Sequence, residues 1–106
     1  MVEVVWSDSS IQDLNDIGDY IAKNSVRYAE ITVQNLFDSV DVLENHPRAG
    51  SIVPEFEDES IRQLIRGNYR IIYKIISVKR IDILTVHNSA RLLSNAPTFK
   101  KNNIFF

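Results

Sequence analysis

The sequence contains no cysteine, three prolines, three glycines, one tryptophan and one methionine. Without cysteine there is no disulfide framework, no thiolate metal site and no thiol nucleophile. The glycines follow no pattern, which excludes a glycine-rich phosphate loop. The only histidines, His46 and His87, are far apart, and no His, Asp and Glu run has ligand spacing. No metal and no cofactor is therefore expected. Long hydrophobic runs are also missing. The longest, Tyr69 to Ile76, is interrupted by Arg70 and Lys74 and falls far short of a membrane span. The first residues, Met-Val-Glu-Val-Val-Trp-Ser, show neither the basic nor the apolar region of a signal peptide. These features lead to the expectation of a cytoplasmic protein with no membrane partner.

The chain of 106 residues is 44% hydrophobic and 25% charged, enough apolar material for one packed core and too much for a disordered chain. The formal net charge of -2 conceals a split. Residues 1–60 hold 3 Lys/Arg and 13 Asp/Glu, a net of -10, and residues 61–106 hold 9 Lys/Arg and 1 Asp/Glu, a net of +8. Such an asymmetry predicts two electrostatic faces and bears on partners rather than on fold.

Val2, Val4 and Trp6 alternate with Glu3 and Val5, as in a short strand. Ser9 and Gln12 have the spacing of a capping box, and Ile11, Leu14, Ile17 and Ile21 follow at helical spacing. Asp13, Asp16 and Asp19 lie off that stripe and are expected to face water. Ser25 is suited to cap a second helix with a seam of Ala29, Val33, Leu36, Val40 and Leu43, widened by Phe37. That helix should stop before Pro47. Residues 46–60 read as a loop, with His46-Pro47, Gly50 and Val53-Pro54 as breakers.

Ile61 to Arg66, Tyr69 to Ile76 and Arg80 to His87 then have strand composition, and Gly67-Asn68 suits a two-residue hairpin. The expected fold class is α+β, two-layer, in the order β-α-α-β-β-β, with a helix hairpin packed on an antiparallel sheet. The domain is expected to span residues 1–94. Residues 95–106 form a C-terminal tail that either frays or folds its aromatics back. Apolar residues on both faces of the central strands call for the tail or a partner to cover the far face.

Trp6-Ser7, Asp13-Leu14, Ile17 and Tyr20-Ile21 begin an ordered set of residues. Leu43, His46-Pro47, Gly50, Val53-Pro54-Glu55, Arg62, Leu64 and Tyr69-Arg70-Ile71-Ile72-Tyr73 continue it. Ile83-Leu84, Val86-His87 and Arg91 close it. In this set the chain resembles toxins of the RelE/ParE superfamily of bacterial type II toxin–antitoxin systems, the plasmid-stabilisation proteins. The resemblance implies a growth inhibitor neutralised by a cognate antitoxin, with a toxin–antitoxin hetero-oligomer as the resting form. RelE-like members cut mRNA on the ribosome, whereas ParE-like members inhibit DNA gyrase without a nuclease site.

The long helix hairpin resembles the ParE side. The 51–60 loop carries acids where RelE-like nucleases show lysines, and the chain is slightly acidic where they are strongly basic. The partners expected are the antitoxin and DNA gyrase, or the ribosome and mRNA on the alternative reading. A third reading is a non-toxic member that only binds its antitoxin.

Arg62, Arg66 and Arg70, with Arg91, are expected to form a guanidinium cluster that binds phosphate or the carboxylates of an antitoxin tail, with Tyr73 beside it. The plainer reading is a solvated strand face, or pairing with the acids at 55–59. On the endonuclease reading His87 is base or acid, Glu55 its partner, and Arg62 or Arg70 the stabiliser of phosphorane charge. The alternative for His87 is a structural histidine at a strand end.

Overall fold

The computed structural model describes residues 1–89. Arg91 and the tail at 95–106 lie outside them. The elements are β1 (Glu3–Trp6), α1 (Asp8–Ala22), α2 (Val26–Asp38), a 3-10 extension over Ser39–Glu44, β2 (Ser51–Ile52), β3 (Ile61–Arg66), β4 (Tyr69–Ser77) and β5 (Arg80–Asn88). The strands lie in the order β1-β5-β4-β3-β2. All neighbours are antiparallel except β1, which runs parallel to β5. The sheet is therefore mixed, not purely antiparallel as expected. Two helices intervene between β1 and the rest, long enough for the crossover that a parallel pair needs.

The helices start where serines can cap them. Ser7, not Ser9, caps α1, with its hydroxyl accepting from the Ser10 amide at 3.1 Å. Ser9 is exposed, and Gln12 instead donates to Asp16 at 2.9 Å. Ser25 caps α2 as expected, accepting from the Tyr28 amide at 3.0 Å. The seam of the second helix continues through the 3-10 turn, where Val40 and Leu43 are buried. Gly67 takes φ +58 in the two-residue turn between β3 and β4, a left-handed conformation that suits glycine.

The main core lies between the helices and the sheet: Leu14, Leu36, Val40 and Leu43 pack against Leu64, Ile71, Tyr73, Ile81 and Ile83. Fully burying one such side chain contributes roughly 1.5–3 kcal/mol, and both the helix layer and the middle of β4 and β5 supply such residues. On the far face the 46–60 loop lays Val53 and Phe56 over Ile61, Ile72 and Leu84.

Asp13 departs from its expected place. It does not face water, because its carboxylate accepts from the Thr85 hydroxyl and, at 3.0 Å, from the Val86 amide. The parallel pairing ends at Trp6 and Ile83, so from there α1 runs along the edge of β5 that β1 has left. Asp13 supplies the acceptor that a strand would have supplied. Burial is the largest influence on this carboxyl and raises its pKa above the usual 3.8, with the Thr85 and Val86 hydrogen bonds pulling the other way. A carboxyl raised by folding favours the protonated state of the fold. Its contribution is complete below the unfolded pKa and is lost as pH rises through the folded value. Relative to Asp13→Asn, the wild-type chain should therefore lose stability between about pH 4 and about pH 7. Urea unfolding at both pH values checks this, and a relative gain by wild type contradicts it.

Candidate functional site

The register separates the arginines. Arg66 pairs with Tyr69 across the Gly67-Asn68 turn, so Ile65 pairs with Arg70 and Arg62 with Tyr73. Directly opposed residues share a face. Arg62 and Arg66 therefore stand on the face of Leu64, Ile71 and Tyr73, which packs on the helices. Arg70 stands on the other face, in line with His87 of β5. The expected single guanidinium cluster does not form. Arg91 lies outside the described residues.

Arg62 and Tyr73 hold the loop between the 3-10 turn and β2. The buried Tyr73 hydroxyl donates to the Pro47 carbonyl at 2.8 Å and accepts from the Gly50 amide at 3.0 Å. The Arg62 guanidinium donates to the Gly50 carbonyl at 2.9 Å and to the Glu59 carbonyl at 3.1 Å. Gly50 is required here by closeness: a Cβ would lie within contact distance of the Gln63 carbonyl and 2.8 Å from the Tyr73 hydroxyl. Burial raises the Tyr73 pKa and keeps the phenol protonated. The neutral phenol can then donate and accept at once.

Arg70 holds the same loop from the opposite face. Its guanidinium grips Glu55 through two bonds of 2.8 Å, and its Nε donates to Gln63 at 2.7 Å. This is the acid pairing of the plainer sequence reading. The two-pronged grip pulls the Glu55 carboxyl below its usual range. The group stays charged, and its stabilisation disappears only as pH falls through that lowered value. Arg66, by contrast, is exposed and, among the described residues, donates to the neighbouring Ile65 carbonyl at 2.8 Å.

His87 is buried. It lies near enough to Glu55 and Asp13 to influence both electrostatically. Glu55, Arg70 and His87 thus gather on one side of the sheet, while Arg62 lies on the other. A phosphate entering this group would have to displace Glu55 from Arg70.

Sequence reasoning missed Asp13, Gly50 and Gln63 as positioning groups. The signal for Gly50 was present: a glycine three residues after a His-Pro pair, ahead of a strand bearing a central tyrosine. Among the described residues no group of His, Cys, Asp and Glu could hold a metal ion. No helix there is long and apolar enough to cross a membrane.

The fold and this loop-clamping sheet define an α+β domain with a helix hairpin over a five-stranded mixed sheet. The chain belongs to the ParE toxin family of type II toxin–antitoxin systems, whose family model matches residues 4–93. Among solved structures it is similar in fold to a chain of the chromosomal ParDE toxin–antitoxin system from P. aeruginosa. That match has a TM-score of 0.68 and 24% identity, and it covers 83% of this chain and 96% of that one. No curated protein matches the sequence.

Removing the Tyr73 hydroxyl leaves the Pro47 carbonyl and Gly50 amide without their partner, at roughly 1–3 kcal/mol for each buried group so exposed. Tyr73→Phe should therefore lower unfolding free energy by about 2 kcal/mol or more. Arg66→Ala should leave it unchanged within error. Denaturant titration of both variants checks this, and equal stabilities contradict it.

Proposed function

We propose that this chain is the toxin of a type II toxin–antitoxin pair. On this reading it acts in the cytoplasm, inhibits growth by binding DNA gyrase, and is neutralised by its cognate antitoxin. Membership of the ParE family supports the reading. The observation that carries the choice against RNA cleavage is the state of Arg70. All three nitrogens of its guanidinium are taken by Glu55 and Gln63, so the cation best placed beside His87 is already neutralised. Of the described arginines proposed to contact antitoxin or target, Arg62, Arg66 and Arg70, the exposed one is Arg66. Arg62, Arg70 and Tyr73 act by fixing the loop that such a partner meets. Arg91 joins the proposed contact set from the sequence alone.

Purified protein should block gyrase supercoiling or trap cleaved DNA, and His87→Ala should do so equally well once its fold is confirmed. No effect on gyrase at large molar excess rejects the proposal. Codon-phased mRNA cuts on ribosomes that vanish in His87→Ala would establish the endonuclease reading instead. Expression that stops neither DNA replication nor translation would establish the non-toxic one.

A further inference from the structure

The turn between β4 and β5 is chemically unlike the one between β3 and β4. Ser77 pairs with Arg80, so Val78 and Lys79 alone join the two strands. Two-residue turns favour asparagine, aspartate and glycine, as at Gly67-Asn68, and a β-branched residue suits them poorly. Val78 nevertheless stands at the tip, 89% exposed, with Ile76 beside it 49% exposed. Lys79 is exposed as well. Neither turn chemistry nor the core accounts for the valine. Next to this tip lies an open cleft of about 1010 Å³. One wall is the segment from His46 to Ala49, the other is Asp58 to Ser60, and Ile75 and Ile76 lie between them. Both walls are pinned. The Tyr73 hydroxyl bonds the backbone at Pro47 and Gly50, Arg62 donates to the Glu59 carbonyl, and the Ile75 amide donates to the Ser60 carbonyl at 2.8 Å. A cleft fixed in advance costs little ordering when it is filled. Asp58 is held by the Ser60 hydroxyl and amide at 2.6 and 2.9 Å, and the exposed Glu59 beside it adds a second carboxylate to the same wall.

We propose that this end of the sheet is an interface between two copies of the chain. Tip and cleft are neighbours, so a two-fold axis between them places the Val78 tip of each copy in the cleft of the other, against Pro47, Ala49 and Ile76. Lys79 of each copy then meets Glu59 of the other. The contact is isologous, and every pair in it occurs twice. Charge selects this occupant. An acidic segment entering the cleft is repelled by Asp58 and Glu59, and a basic one by Arg48. A second copy brings an apolar tip with a single adjacent lysine to an apolar cleft with an acidic rim, and the chain supplies both halves. Glu55, Arg66 and Arg70 do not line the cleft, so the dimer leaves them to other partners. Dimerisation here is independent of the toxin's target.

Sedimentation equilibrium of the full chain tests this. The average mass should rise with concentration from that of one chain to that of two. Val78→Asp, Glu59→Lys and Lys79→Glu each change an exposed side chain. Their circular dichroism at monomeric dilution should match the wild type, and each should weaken dimerisation by about tenfold or more. The two charge variants supply a rescue. When Glu59→Lys and Lys79→Glu chains are mixed in equal amounts, both cross-pairs are again opposite in sign, and a mixed dimer should form as tightly as the wild-type one. A wild-type chain that stays monomeric at every concentration overturns the proposal. So does a dimer that all three variants leave undiminished, or a mixture that associates no more tightly than either charge variant alone.

Discussion

The Tyr73 hydroxyl is the contact on which the lower half of the structure depends. It sits fully buried in the middle strand and bonds the backbone of the chain at both Pro47 and Gly50. That pair of bonds fixes where the chain leaves the helix layer. Only a glycine fits at the point of closest approach. From Gly50 the chain enters the two residues of β2 and then crosses to the far face, where Val53 and Phe56 close the second core. Arg62 secures the crossing from the helix side and Arg70 from the other. A buried hydroxyl with both roles filled costs little, and the same hydroxyl removed leaves two orphans. The loop between helices and sheet is therefore a built part of the domain rather than a loose connection.

This arrangement changes the meaning of the charge split. The exposed acids of the helices, among them Asp16, Asp19, Glu30 and Asp38, face solvent as expected. The basic half is less free than its composition implies. Arg70 is neutralised by Glu55, Arg80 is paired with Asp82 at 2.7 Å, and Arg62 is committed to backbone carbonyls. A protein that binds its target by surface complementarity loses nothing by this. A nuclease would need those cations at the scissile phosphate.

Much of the fold was legible in local signals. Ser25 and Gly67 mark their elements by elementary backbone chemistry, and the helical seam through Leu43 needed only its spacing. The separation of the arginines was also legible in principle. A two-residue turn at Gly67-Asn68 pairs Arg66 with Tyr69, and counting on from there puts Arg70 opposite Ile65 and away from Arg62. Three features were not legible. The parallel seat of β1 depends on a crossover over the whole helix hairpin. The register shift between Ile72 and Tyr73 alters how β5 meets β4. Asp13 looks solvent-facing by helical period, and becomes an edge acceptor only because β1 stops short of Thr85. Each of these is set by tertiary pairing rather than by the residues next door.

The most direct measurement of the clamped loop is amide hydrogen exchange at Gly50, whose N–H is held by the Tyr73 hydroxyl. The account predicts that this amide is protected to the same degree as those of β4, and that protection collapses in Tyr73→Phe while the β4 amides keep exchanging only through global opening. Exchange of Gly50 in the wild-type chain at the rate of an open loop would contradict it.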